Sequence, residues 1–286
     1  EGSGGDPLSR REIAILVEWV EQGAEWEQWW AYRPVERPKL PTVETSPEFV
    51  RNPIDRFVLA RLEAEGLAPE LGPSPAADRA TLIRRLSLDL TGIPPSAEHV
   101  TRFEANPSDG AYDQLVDSLL ASPHFGERMA VWWLDLVRYA ETDGYHSDLH
   151  REISAYRDYV IEAFNANKAF DQFTREQIAG DLIPGATRAQ RIAAAYNRLG
   201  QATKEGGSQP KEYLNKYQVD RVNTLSNTWL ASSMECAQCH DHKYDPFTQE
   251  DFYELAAFFG DVKERGLFPN ENQLPPQARI PDGETA

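Results

Sequence analysis

The chain has 286 residues, with 46 acidic side chains against 29 basic ones, and its net charge of −17 excludes a nucleic-acid backbone or an anionic membrane surface as the main partner. Hydrophobic residues at 41% and charged residues at 26% are ordinary for a folded chain, and the length allows one large domain or two small ones. No apolar run approaches the roughly 18 residues of a membrane span.

In chain order the sequence reads as helix after helix. The opening EGSGGDPLSR has a linker-like composition without a signal-peptide pattern, and the expectation is a mature or processed piece of a longer polypeptide. SRREIAILVEWVEQG carries a capping box, Ser9 with Glu12, then an apolar face of Ile13, Leu16, Val17 and Val20, then Gly23 as a stop. Residues 33–49 hold four prolines and no periodicity, which predicts a linker or an extended wrapping arm. In NPIDRFVLARLEAEG, Asn52 caps, Pro53 takes the first helical position and Gly66 ends the helix. DRATLIRRLSLDLTGIPP repeats the scheme, with Leu82, Ile83, Leu86 and Leu90 inward and Gly92 and Pro94 as the stop.

SAEHVTRFEA and AYDQLVDSLLAS predict two short helices. FGERMAVWWLDLVRYAE is aromatic on most faces and predicts a buried central helix. TDGYHSDLHRE is a polar loop, and ISAYRDYVIEAFN is helical again. TREQIAGDL and TRAQRIAAAYNRLG both open on Thr-x-x-Gln, the capping-box pattern, at Thr174 with Gln177 and at Thr187 with Gln190. ATKEGGSQP is a second polar loop, a helix from about 210 to 232 leads to the cysteines, TQEDFYELAAFFG is the last helix, and the tail is Pro-rich. The expected fold class is all-α, an irregular multi-helix domain over residues 50–262 with extended Pro-rich segments, 33–49 before it and 263–286 after it. Short helices and polar loops leave room for a group held between them.

Both cysteines of the chain stand in MECAQCHDHKYDPF, three apart, with a histidine directly after the second. Two cysteines placed at random would fall three apart about once in 140 chains of this length, so the spacing carries information. A thiol redox pair needs a thioredoxin-like βαβ setting, which the helical pattern lacks. A zinc site could draw Cys236, Cys239 and His242, with Asp245 or a distant His as fourth ligand, but a second Cys/His pair is missing. Covalent haem attachment uses every residue at once: Cys236 and Cys239 add to the two vinyl groups, and His240 becomes the proximal iron ligand. One covalent haem c is therefore the expected cofactor.

For the opposite face of the iron, Met234 and His242 stand too near the anchor to swing around the macrocycle. His99, Met129 and His150 have duller readings, as an amphipathic-helix residue, a core methionine and a residue near a helix start. The order of candidates is His146, in the TDGYHSD loop, then His124, after Pro123 at a helix start, then an open site.

The stretches NPIDRFVLARLEAEGL, RATLIRRLSLDLTGIPP, WLDLVRYAETDGYHSD, VDRVNTLSNTWL and CAQCHDHKYDPFTQEDFYELAAFF together resemble the planctomycete-type cytochrome c domain family, a domain of unknown function in large secreted proteins. The resemblance runs over about residues 50–262 and implies the CxxCH anchor at Cys236, Cys239 and His240. Residues 1–32 are similar to the last helix of a preceding cytochrome-c-like module, without that module's own haem motif.

The favoured expectation is a c-type haem protein for extracytoplasmic electron transfer, part of a larger periplasmic, cell-surface or secreted redox protein. Its partners would be a redox protein or further domains of the same polypeptide, within an extracellular assembly. One haem in some 210 residues leaves a surplus of chain, and the two polar loops could line a pocket with Arg138, Asp143, Arg157, Asp181 and Glu205. That surplus keeps open a haem enzyme with an open distal site, peroxidase-like or substrate-oxidising. A haem-free or zinc-bearing interaction module is the third reading.

Overall fold

The structure is a computed structural model and describes residues 7–25, 29–67, 72–108, 110–145 and 148–268. It divides into two units, Glu1–Ala76 and Ala77–Ala286. In the first, α1 (Arg10–Glu21) starts at the capping box: the Ser9 hydroxyl accepts from the Glu12 amide at 3.3 Å, and the Glu12 carboxylate accepts from the Ser9 amide at 2.7 Å. Every residue of α1 is exposed. α2 (Pro53–Ala64) is capped by Asn52 and Asp55 with Pro53 in its first turn, and Gly66 leaves it at φ +69°, a backbone state that favours glycine. The Pro-rich arm is tied to α2 by Glu63, whose Oε1 accepts the amides of Glu44 at 2.8 Å and Thr45 at 2.6 Å.

The described residues of the second unit are mostly helical, so the all-α expectation holds. Its helices are α3 (Arg79–Thr91), α4 (Ala97–Ala105), α5 (Ala111–Leu120), α6 (Pro123–Leu136), α7 (Ser154–Asn165), α8 (Phe170–Ala179), α9 (Arg188–Ala193), α10 (Pro210–Leu225) and α11 (Gln249–Ala257). Among the described residues β structure is limited to two isolated bridges, Thr142 with His150 and Gly144 with Ala202. α6 and α7 form the tightest pair, α3 packs on α6, and α4 and α5 pack on α3. A core of Trp133, Val137, Tyr156, Tyr159, Phe173 and Tyr196 fills the space between α6, α7, α8 and the turn after α9. A second core of Val222, Met234, Ala237, Phe252, Ala256 and Phe259 joins α10 to α11.

Two local expectations are corrected. α6 is not buried all round: Gly126, Ala130 and Trp133 face the core, while Val131, Trp132 and Leu136 are exposed, because only one stripe of the helix meets α3 and α7. Of the two Thr-x-x-Gln patterns, Thr187 with Gln190 is a capping box, but Thr174 lies inside α8, which starts four residues earlier. There the Thr174 hydroxyl accepts from the Trp229 indole at 2.9 Å, and Gln177 is buried as a partner of Trp133 and Tyr156. Core contacts outcompeted the local cap.

Candidate functional site

α10 passes directly into one π-helical turn, Ser226–Leu230, which ends at Ala231 in the left-handed region with φ +50°. The chain then closes into a short 3₁₀ turn, Glu235–Gln238. In 3₁₀ geometry side chains three apart lie one above the other. Met234 and Ala237 accordingly share the inward side, 3% and 0% exposed, and pin the turn to Val222 and Phe252. Cys236 and Cys239 share the outward side as exposed, unpaired thiols. The C-x-x-C spacing and the buried Met234–Ala237 pair are thus two faces of one constraint.

His240 follows, exposed, with its amide bonded to the Cys236 carbonyl at 3.3 Å. Its Nδ1 lies 2.8 Å from the Asp241 carbonyl, an acceptor, so Nδ1–H donates there and Nε2 is the ring nitrogen turned away from this contact. The next loop is held by its own side chains. His242 Nδ1 accepts the amides of Asp245 at 2.8 Å and Tyr244 at 3.3 Å, and the His242 amide donates to the Phe247 carbonyl at 2.8 Å. Asp241 accepts the Gln249 amide at 2.8 Å, Tyr253 donates to the Gln238 carbonyl at 3.1 Å, and Thr248 caps α11. Met234 is therefore core and His242 a loop tie, and neither reaches outward beside the thiols.

The donor set suits a covalently anchored haem: two exposed thiols on one face, and directly after them an exposed imidazole whose Nδ1 is tied to a carbonyl. The site is at the surface rather than between the helices, with the exposed Tyr253 bonded to its Gln238 carbonyl. Among the described residues no group of three or more His, Cys, Asp and Glu side chains is arranged to hold a metal ion.

The candidate distal ligands are dispersed. His146 lies outside the described residues. His124 is exposed in the first turn of α6, its Nδ1 2.7 Å from Glu127. His150 is exposed, its Nε2 3.0 Å from Glu152, and His99 is exposed on α4.

The two polar loops do meet. Loop 141–151 folds back on itself through Asp143 N–H to Leu149 O at 3.0 Å and Arg151 N–H to Glu141 O at 2.8 Å. The Ala202 amide then donates to the Asp143 carbonyl at 3.0 Å. Between the loops lies a small cleft lined by Asp143, Tyr145, Asp148, Thr203, Lys204 and Glu205. Thus Asp143 and Glu205, two of the five catalytic candidates, share one cleft. Arg138 instead pairs with Asp220, Arg157 pairs on the surface with Asp158 at 3.1 Å and Glu141 at 3.6 Å, and Asp181 is exposed in the turn after α8. A second small cleft lies beside Arg151 and the Arg221–Glu264 pair, whose two bonds measure 2.7 and 2.5 Å. Burial pushes the Arg151 pKa down to about 10, and its guanidinium donates to the carbonyls of Gly200, at 2.9 Å, and Arg198. Lys204 and Arg151 were not singled out from sequence. Each sits in a polar loop, where nothing in the pattern distinguishes a buried cation from a solvated one.

No curated protein and no solved structure matches this chain. A family model does, that of PSCyt2, "Protein of unknown function (DUF1549)", over residues 53–264. That span runs from the first turn of α2 past the CxxCH turn and α11, so the chain belongs to the PSCyt2 family.

Proposed function

We propose that this chain is a c-type haem protein that carries electrons outside the cytoplasm, as a segment of a larger secreted redox protein. The observation that carries the reading is the 3₁₀ turn at Glu235–Gln238, with both thiols outward and the exposed His240 ring directly after, its Nδ1 bonded to the Asp241 carbonyl. Cys236 and Cys239 would hold the group through two thioethers, and His240 would bind the iron. When bound, haem supplies reversible one-electron chemistry between ferric and ferrous iron. The chain's own part is to fix the anchor. Met234 and Ala237 hold the turn on the second core, Asp241 orients the imidazole, and the His242 loop keeps the segment from unwinding.

Thioether attachment to haem is an extracytoplasmic modification, which supports a periplasmic, cell-surface or secreted location. No helix of the described residues is long and apolar enough to cross a membrane. The acidic charge suits a basic or neutral redox partner, or further domains of the same polypeptide.

The test is intact-mass measurement with a pyridine haemochrome spectrum, after expression with a periplasmic haem-attachment system. The expected result is a mass increase of one haem, lost when Cys236 and Cys239 are both changed to Ala. An unmodified mass with no haemochrome band from wild-type protein under those conditions rules the reading out.

A further inference from the structure

The main core holds Trp133, Tyr156, Tyr159 and Tyr196, with Tyr139 and Trp229 packed against it, rings that can give up an electron. Trp229 and Trp133 meet edge to face with centroids 5.4 Å apart. The Trp133 indole N–H donates to the Tyr156 phenol oxygen at 3.2 Å, and Tyr156 stacks on Tyr139 at 6.2 Å. Tyr196 contacts the other side of Trp229 at 5.1 Å. Phe would fill these volumes without burying polar atoms that must then find partners. Here Trp133, Trp229, Tyr139, Tyr156 and Tyr159 have such partners, whereas the buried Tyr196 hydroxyl has none. The Tyr139 phenol donates to the Glu141 carboxylate at 2.7 Å, and the Tyr159 phenol, in the same cluster, donates to Glu176 at 2.8 Å.

The two ends of this series lie in telling places. Tyr139 and Glu141 are half-buried at the rim, so the series ends where solvent begins. Trp229 is in the π turn that leads to the thiols. It stands one turn beyond Leu225, about 6 Å along the helix, and Leu225 packs on the cluster holding Met234 and Ala237. One end therefore lies six residues of chain before the anchor turn, and the other is a phenol with a carboxylate proton acceptor.

We propose that Trp229, Trp133, Tyr156 and Tyr139 form an electron relay that refills a strong one-electron oxidant at the anchor turn. The oxidant takes one electron from Trp229, which is refilled from Trp133 and then through Tyr156 from Tyr139. As Tyr139 loses its electron, its phenolic proton crosses to Glu141. The net change is one electron to the oxidant, one proton to Glu141, a neutral Tyr139 radical and a protonated Glu141. A haem held by Cys236, Cys239 and His240 would supply such an oxidant with a peroxide as co-reactant, which needs the open-site enzyme reading rather than a six-coordinate carrier. Only the identity of that oxidant rests on the haem reading.

The experiment uses the full chain without haem. A ruthenium polypyridyl sensitiser is attached to Cys236 in a Cys239→Ala background, with Tyr244→Phe and Tyr253→Phe removing the exposed phenols that follow the anchor in the chain. Flash-quench oxidation is followed by transient absorption and by electron paramagnetic resonance of the tyrosyl radical. The relay predicts a tyrosyl signal whose yield falls at least about tenfold in Tyr139→Phe and in Trp229→Phe. In Glu141→Gln it should form more slowly. Circular dichroism confirms that each variant is folded, and Trp229→Phe and Tyr139→Phe leave the Trp133–Gln177 bond in place. Equal yields and rates in wild type, Trp229→Phe and Tyr139→Phe overturn the relay, whatever the haem assay shows. A relay intact in a chain that takes no haem overturns only the haem reading.

Discussion

Lys204 Nζ lies 2.6 Å from Asp143 Oδ2, with the two side chains 3% and 4% exposed. The contact is close but not aligned as a hydrogen bond, and Asp143 Oδ1 has no partner. A buried pair so sparsely supported costs nearly as much desolvation as its attraction returns, whereas one member left alone is an uncompensated charge. Lys204→Met should therefore destabilise the fold by about 3–5 kcal/mol. The double variant Lys204→Met with Asp143→Leu should recover most of that loss. Urea unfolding of the two variants checks this, and a single variant within about 1 kcal/mol of wild type contradicts the burial assigned to the pair.

Gly126 is where α6 and α7 touch. A Cβ there would collide with the Ile161 carbonyl oxygen and lie 2.6 Å from the Asn165 amide group. Asn165 in turn accepts the Gly126 amide at 2.8 Å and donates to the Pro123 carbonyl at 3.1 Å. Helix propensity alone favours Ala over Gly by about 1 kcal/mol. The close approach should reverse that sign, so Gly126→Ala is expected to cost about 2 kcal/mol or more, read from the urea midpoint.

The caps show what local sequence can and cannot reveal. Ser9, Asn52 and Thr187 act on amides within three residues, so their patterns predict the structure directly. Thr174 and Gln177 have the same pattern, but their partners, Trp229 and Trp133, come from 55 and 44 residues away. The anchor turn is legible because its outward pair, Cys236 and Cys239, and its inward pair, Met234 and Ala237, lie within six consecutive residues. The meeting of loops 141–151 and 198–209 is not legible, since Asp143 and Lys204 are joined only by tertiary packing. The aromatic stretch of α6 predicts a buried helix yet leaves Trp132 exposed, because composition cannot say how many faces of a helix find neighbours.

Glu176 yields a pH prediction. Its side chain is 3% exposed, and burial by itself would raise its pKa. Bonds from Lys168 at 2.5 Å, Gln172 at 3.0 Å and Tyr159 at 2.8 Å outweigh burial and hold it at about 2 instead of 4.5. A folded-state pKa below the unfolded one contributes stability above pH 4.5, which is lost as pH falls towards 2. The denaturant midpoint of wild type should fall through that window. In Glu176→Gln the protein should be less stable at neutral pH and its midpoint should fall less steeply on acidification. Parallel slopes in the two proteins would remove Glu176 as the group responsible.

If Cys236, Cys239 and His240 hold a haem iron, two histidines compete to be its second ligand. His124 is already paired with Glu127 at 2.7 Å in the first turn of α6, and leaving that pair for iron gives up a charge-assisted contact. Arg138, just past the far end of α6, pairs with Asp220 of α10, the helix that leads to the anchor. His124 stands some 20 Å back along α6 from that end. His146 belongs to the TDGYHSD loop, whose neighbouring residues Asp143 and Gly144 are bonded to the segment that precedes α10. In haem-loaded protein, His146→Ala should convert a low-spin spectrum to a high-spin one that binds cyanide readily, while His124→Ala should leave spin state and potential unchanged. His240→Ala should keep both thioethers and lose the proximal imidazole, seen as retained haem mass with a shifted Soret band. A low-spin spectrum that survives His146→Ala shifts the assignment away from that loop.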